Sequence, residues 1–112
     1  MKVSDLVEQL QLRIFAGQAG LGREITDGYV SDLLSDVMGN APEGAAWITL
    51  QTHQNVLAIA SLKEVAAVIL VQSREPEEDS IAHSNREGIP LLGTDMESFA
   101  CAGRLYMLLK TD

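Results

Sequence analysis

The sequence contains few aromatic residues, a single cysteine and half as many basic as acidic side chains. The last two scarcities each exclude a class of protein. Cys101 alone cannot form an internal disulfide, which suits a reducing compartment. Eight Lys and Arg residues against sixteen Asp and Glu residues give a formal net charge of -8. This charge argues against binding to nucleic acid or docking on an anionic membrane. No apolar run is long enough to span a bilayer, and the N-terminus lacks an apolar signal core, so we expect a cytoplasmic protein.

The length of 112 residues predicts one domain with one core. No internal repeat, low-complexity run or linker divides it. We expect residues 1–26 to form a helix, a strand and a glycine-rich loop, and residues 27–112 to form a βα core. Gly17 to Gly22 lacks the lysine and hydroxyl of a P-loop and the spacing of a Rossmann loop, which favours a plain turn over a phosphate cradle.

The stretch from Ala45 to Gln72 predicts a strand, a turn, a helix and a second strand. Residues 46–50 form a short apolar run, and residues 65–71 form a longer one without a polar residue. Between them, apolar residues recur at helical spacing from Val56 to Leu62. A continuous apolar strand needs a sheet that is covered on both faces. The pattern therefore predicts a βαβ unit in a parallel sheet.

Further elements flank this unit. We predict a helix from Ser4 to Leu10, a strand over residues 12–16, a short strand over residues 28–30 and another over residues 89–92. With the remaining helices these make a three-layer α/β domain, with a mostly parallel sheet of about four to five strands. We expect five residues to mark three helix starts: Ser31 with Asp32 in the turn that follows, Pro76 in a first turn, and Thr94 with Glu97 as a capping box.

The last predicted helix carries an apolar stripe with two possible packing partners. The stripe consists of Phe99, Gly103, Tyr106 and Leu109, broadened by Met96, Ala100 and Met107. It either packs on the sheet or forms part of a dimer face, because a domain this small can extend its core by self-association.

Four stretches resemble the DRTGG domain family, and most closely its small stand-alone members. These are Gly28 to Met38, Trp47 to His53, Arg74 to Glu77 and Gly88 to Leu92. The N-terminal stretch around Gly17 and Leu21 to Ile25 is also similar to the N-terminal domain of HPr kinase/phosphorylase. The resemblance implies a parallel sheet flanked by helices, usually dimeric, in a regulatory or interaction module. The P-loop kinase domain of HPr kinase has no counterpart here, so the resemblance does not imply kinase activity.

Three loops are expected at the carboxyl edge of the sheet, where parallel α/β proteins bind ligands. They bring together the candidate ligand-binding residues Thr52, His53, Gln54, Asn55, Ser73, Arg74 and Thr94. Arg74 is the strong cation of this set, which suits a nucleotide or a phosphorylated metabolite. The alternative is structural: Thr52 or Asn55 caps one helix, Thr94 caps the next, and Arg74 pairs with neighbouring acids.

No catalytic constellation accompanies these residues. His53 is the candidate general base of a small enzyme, but the sequence assigns it no nucleophile or orienting carboxylate. The spacing of His53, His83 and Cys101 does not match a metal site, and no cofactor is predicted. We therefore expect a non-enzymatic regulatory or protein-interaction module, homodimeric, with a separately encoded protein partner. The alternative is a small-ligand sensor.

Overall fold

A computed structural model describes residues 1–110 as a sheet of five strands flanked by five helices. The helices are α1 (Val3–Leu10), α2 (Leu34–Asn40), α3 (Asn55–Lys63), α4 (Glu78–Glu87) and α5 (Ser98–Lys110). The strands are β1 (Arg13–Ala16), β2 (Asp27–Val30), β3 (Ala45–Thr49), β4 (Ala67–Leu70) and β5 (Leu91–Gly93). The predicted α/β class with a mostly parallel sheet is confirmed.

The strand order is β1-β5-β4-β3-β2, so the sequential strands β2 to β5 lie side by side and β1 occupies the far edge. Strands β2, β3, β4 and β5 are parallel, and β1 runs antiparallel to β5. The predicted strand at residues 89–92 is therefore an inner strand. Pro90 is tolerated because it precedes β5, and its carbonyl accepts a hydrogen bond from the Val68 N–H (2.9 Å).

Two hydrophobic cores cover the two faces of the sheet. On one face, α1 and α5 pack against alternate strand residues such as Ile48 and Ile69. On the other face, α2, α3 and α4 pack against the intervening residues, including Trp47 and Val68. Every residue of β3 and β4 is buried, which explains why their sequences are apolar except for Thr49. The predicted three-layer arrangement follows from this alternation.

Trp47 lies in the core. Its side chain is fully buried, and its indole N–H donates to the Ser31 carbonyl (2.9 Å). Tyr29, on the neighbouring strand, donates its hydroxyl to the Asp36 carboxylate (2.7 Å), which ties β2 to α2. This bond raises the pKa of Tyr29 and lowers that of Asp36.

Three predicted helix starts are wrong. Helix α2 begins at Leu34, three residues after Ser31, because the Ser31 hydroxyl accepts the Leu33 N–H (3.2 Å) in a local turn. Helix α4 begins at Glu78, so Pro76 precedes its first turn. Helix α5 begins at Ser98, and Thr94 closes a two-residue turn onto the Met96 N–H (3.2 Å) instead of capping the helix.

Several predicted apolar faces are also only partly buried. Leu33 is 65% exposed because it precedes α2 instead of lying on its inner face, and Leu62 is 70% exposed on α3. In α5 the buried residues are Cys101 and Leu105. The predicted stripe of α5 points mainly away from the sheet, with Phe99 91% exposed. The second interpretation of this stripe, as part of a dimer face, remains a prediction.

Gly17 is a position where the chain requires glycine. Its φ is +77°, and an added Cβ would lie 2.1 Å from the Ile89 carbonyl oxygen. Its N–H donates to the Asn85 side chain (2.8 Å), so the glycine-rich loop is fastened to the end of α4. This part of the chain is a structural turn, with a short 3₁₀ helix at Gln18–Gly20.

Replacing Gln11 by glycine should stabilise the protein. Gln11 ends α1 with φ 53°, a left-handed conformation that costs a side-chain-bearing residue about 1–2 kcal/mol. Glycine adopts it freely but loses about 0.5–1 kcal/mol more backbone entropy on folding. We expect a net gain of about 0.5–1 kcal/mol in the free energy of unfolding, measured by urea unfolding followed through Trp47 fluorescence. The control Gln9→Gly, inside the same helix and also exposed, should cost about 1 kcal/mol. Equal losses for both variants would contradict the interpretation.

Candidate functional site

The carboxyl edge of the parallel strands gathers the loops that follow β2, β3, β4 and β5. The loops after β4 and β5 are joined by backbone bonds: the Gln72 N–H donates to the Met96 carbonyl (2.8 Å), and the Ser73 N–H donates to the Thr94 carbonyl (2.9 Å). Adjacent strand ends bring these loops together, as the parallel topology predicts. Ser73 and Thr94 are thus neighbours, as the sequence indicated.

Asp95 is the centre of the polar contacts on these two loops. Its Oδ1 accepts hydrogen bonds from the Ser73 hydroxyl (2.6 Å) and from the Arg13 guanidinium (3.0 Å). The Ser73 hydrogen bond and the Arg13 cation hold the pKa of Asp95 below its usual value. Sequence reasoning missed Asp95 and Arg13 as members of this cluster. Arg13 lies 82 residues away on β1, and only the antiparallel pairing of β1 with β5 brings it here.

Arg74 presents a free guanidinium at this edge. Its side chain is exposed, and within residues 1–110 it has no hydrogen bond or ion pair. The structural alternative, in which Arg74 pairs with neighbouring acids, is therefore not what the structure shows. A cation without a partner beside a strand end is chemically suited to a phosphate or carboxylate ligand.

The backbone that leads to Arg74 has an unusual conformation. Gln72 and Ser73 both have left-handed φ values, 57° and 59°, in residues that carry a side chain. The bonds from their N–H groups to the β5–α5 loop hold this conformation, together with the bond from Ser73 to Asp95. Because these N–H groups are already paired, they do not form an anion-binding nest. What remains for a ligand in this loop is the Arg74 side chain.

The loop after β3 is tied to the start of α4. The Thr52 carbonyl accepts the Ser80 hydroxyl (2.7 Å) and the Glu77 N–H (3.3 Å). Neither Thr52 nor Asn55 caps α3, because the cap position belongs to Gln54, whose side chain makes no capping bond. That part of the structural alternative is wrong.

His53 is exposed, and its Nδ1 accepts the Asn55 N–H (3.1 Å). This bond leaves Nε2 as the ring nitrogen that carries the proton in the neutral side chain. Within the described part of the chain, neither a hydroxyl nor a carboxylate is hydrogen-bonded to the ring. The geometry is that of a loop histidine that closes a local turn.

Asp32 is a second residue at this edge that the sequence interpretation placed wrongly. Asp32 does not lie in the first turn of α2. Its carboxylate accepts the Leu50 N–H (2.7 Å) and the Thr49 hydroxyl (2.9 Å). The Gln51 side chain donates to the Asp32 carbonyl (2.9 Å). Asp32 thereby fixes the end of β3, from which Thr52 and His53 extend.

Three of the cavities formed by the described residues lie elsewhere, and the loops that carry the candidate residues do not line them. The first, about 510 Å³, lies near the opposite ends of the strands and is lined by Arg23, Glu43, Glu64 and Glu87, among others. The proximity of Glu64 raises the pKa of Glu43 there. The second, about 350 Å³, lies between β2 and α5, and the third, about 580 Å³, lies beside α5. The candidate residues thus lie outside these three cavities.

Among residues 1–110, no group of three or more His, Cys, Asp and Glu side chains is arranged to hold a metal ion. Cys101 is buried in the core beside the sheet, and burial raises the pKa of its thiol to about 11. In the same range of residues, no helix has both the length and the apolar character required to cross a membrane.

The Asp95 cluster predicts a specific pH dependence. Because its pKa is lower in the folded protein than in the unfolded chain, its stabilising effect is complete above the unfolded value of about 3.9 and is lost as the pH falls through the folded value. Asp95→Asn should therefore lower the thermal unfolding midpoint at pH 7, and the difference from the unmodified protein should shrink towards pH 3. Glu75→Gln, which removes an exposed charge from the same edge, is the control. An Asp95→Asn deficit that is independent of pH would contradict the role of the charge.

The comparisons with known proteins bear on the fold. No family model matches the sequence, and no curated protein matches it. A crystal structure of the CBS and DRTGG domains of the regulatory region of Clostridium perfringens pyrophosphatase, complexed with the activator diadenosine tetraphosphate, is similar to this chain with a TM-score of 0.68. The similarity covers 91% of this chain but only 44% of that one, at 14% sequence identity. At this identity the likeness supports the DRTGG-like fold that the sequence indicated, and it concerns the fold alone.

Proposed function

We propose that this chain is a non-enzymatic regulatory or protein-interaction module, a DRTGG-like domain that works as a homodimer with separately encoded partners. The observation that carries the proposal is the fold, which resembles a regulatory region over 91% of the chain. The chain spans less than half of that region, so any partner domain is supplied from outside the residues described here.

The chemistry of the strand-end loops supports a role without catalysis. Ser73 donates its hydroxyl to Asp95, whose carboxylate is also paired with Arg13 and has a lowered pKa, so it is a weak base. His53 uses Nδ1 to close its own loop. Polar groups that are engaged in loop-to-loop bonds stabilise the shape of the surface, whereas a catalytic nucleophile needs a nearby base that is strong enough to take its proton.

The purified protein should therefore show no turnover of nucleotides or phosphoesters. A sustained turnover that His53→Gln abolishes would overturn the proposal and favour the small enzyme that uses His53. Gln54→Ala, in the same loop, is the control for indirect damage. Turnover that survives His53→Gln would also contradict the non-enzymatic role and would move the search to another residue.

A second function, sensing a small ligand, has its own supporting observation. Arg74 is exposed at the carboxyl edge without a side-chain partner among residues 1–110, and the preceding residue, Ser73, is bonded to the Thr94 carbonyl. The similar regulatory region was crystallised with a dinucleotide activator, diadenosine tetraphosphate. The ligand class we assign to this edge is a nucleotide or another phosphorylated metabolite, held by Arg74 with Thr52, His53, Gln54 and Asn55 on the adjoining loop.

A thermal-shift screen of nucleotides, dinucleoside polyphosphates and sugar phosphates tests the sensor. A ligand at about ten times its Kd adds about 1.4 kcal/mol, which raises the midpoint of a domain of this size by several degrees. Arg74→Ala should abolish the shift. Arg86→Ala, which removes an exposed arginine from the far end of α4, should retain it. No shift across the panel, or a shift that is unaffected by Arg74→Ala, would count against this site.

A further inference from the structure

Helix α5 carries two apolar stripes on opposite sides. The inward stripe contains the buried residues Cys101 and Leu105. The opposite side, which we call the outer face of α5, consists of Phe99, Ala100, Gly103, Tyr106 and Met107. Phe99 is 91%, Tyr106 59% and Met107 61% exposed. A helix that covers a core on one side normally presents polar residues on the other, so the outer face is an exposed apolar patch of the kind that marks an interaction surface.

The outer face is symmetric about Gly103. Phe99 and Met107 each lie four residues from Gly103, about 6 Å along the helix in opposite directions. If two copies of α5 pack antiparallel with a twofold axis at Gly103, Phe99 of each copy meets Met107 of the other. An isologous interface requires this reciprocity, in which residue i contacts j and j contacts i. The spacing therefore fits a second copy of this chain.

Gly103 also permits a close approach at the axis. An added Cβ at Gly103 would have no heavy atom within 4 Å, so the glycine is not required by packing within the chain. Inside a helix, glycine is less favourable than alanine, so a glycine here needs another reason. The groove of about 580 Å³ beside this position is lined by Leu10 and Leu108 as well as by the outer face, and it has room for the Phe99 ring of a second copy.

The charges around the outer face favour the same occupant. Residues 98–110 contain no acid, although the whole chain carries sixteen. The Arg104 guanidinium turns back to the Gln9 carbonyl (3.4 Å), and Lys110 lies over the Tyr106 ring (5.5 Å). An antiparallel pair of helices places each Lys110 near Glu97 of the other copy, so the two ends of the interface are complementary in charge. Elsewhere the acidic surface keeps the copies apart.

We infer that the outer face of α5 is the homodimer interface, formed by antiparallel packing of two α5 helices about a twofold axis at Gly103. This inference rests on the homodimer of the proposed function and specifies its surface. The helix is about 20 Å long, and one face of it buries less than the roughly 800 Å² per partner of a standard interface. The dimer is therefore concentration-dependent.

Cysteine cross-linking tests the position of the axis. Helices 8–10 Å apart, each with a Cα radius of about 2.3 Å, leave about 3.4–5.4 Å between facing Cα atoms, a range that overlaps disulfide geometry. Under mild oxidation Gly103→Cys should give a covalent dimer. Gly39→Cys, at an exposed glycine of α2 that likewise has nothing within 4 Å of an added Cβ, should not. The native Cys101 is buried and should not form a cross-link.

Sedimentation velocity over a wide concentration range tests the contacts. Phe99→Asp should weaken association by about tenfold or more, as expected for an interface anchor. The control Met38→Asp changes an exposed apolar residue of a different helix, α2, and should leave association unchanged. Far-UV circular dichroism checks that both variants remain folded.

The outcomes separate this inference from the proposed function. A dimer that neither cross-links through Gly103→Cys nor responds to Phe99→Asp would overturn the α5 interface and leave the homodimer in place. A monomer at every concentration would overturn both the interface and the homodimer. In either case the Arg74-dependent ligand shift and the absence of turnover are measured separately.

Discussion

Burial of β3 and β4 on both faces is the constraint on which the rest of the structure depends. Strands without an exposed side chain must be covered by helices on both sides, and the alternation of Trp47 and Ile48 sends one apolar residue to each layer. The buried indole N–H of Trp47 must also be satisfied, and the Ser31 carbonyl does so. This bond, with the contacts of Asp32, fixes the chain between β2 and α2 and displaces the start of α2 from Ser31 to Leu34.

The same constraint creates the candidate site. Parallel strands with helical crossovers end at one edge, so the loops after β2, β3, β4 and β5 adjoin whatever their residues are. Most polar groups on those loops then bond to one another, as in the Ser73–Asp95–Arg13 cluster. The Arg74 guanidinium has no partner among residues 1–110, so it is a cation of this edge that can bind an anion.

Helix α5 connects the fold to the proposed assembly. It must cover the sheet with Cys101 and Leu105, yet its opposite side is also apolar. One helix cannot bury both stripes within one copy of the chain. The symmetric spacing about Gly103 offers a solution in which a second copy covers the outer face.

The sequence by itself determined the α/β class, the βαβ unit from Ala45 to Gln72 and the approach of Ser73 to Thr94, because buried runs and helical periodicity are local properties. It did not determine which stripe of α5 faces the sheet, because Cys101 with Leu105 and Phe99 with Met107 have equally good helical spacing. Nor did it predict the starts of α2 and α5. The hydroxyls of Ser31 and Thr94 can accept either a helix-capping bond or a local turn bond, and the surrounding structure decides which one forms. The meeting of Arg13 with Asp95 was likewise decided by tertiary structure, because the antiparallel placement of β1 beside β5 is a long-range pairing that no local pattern encodes.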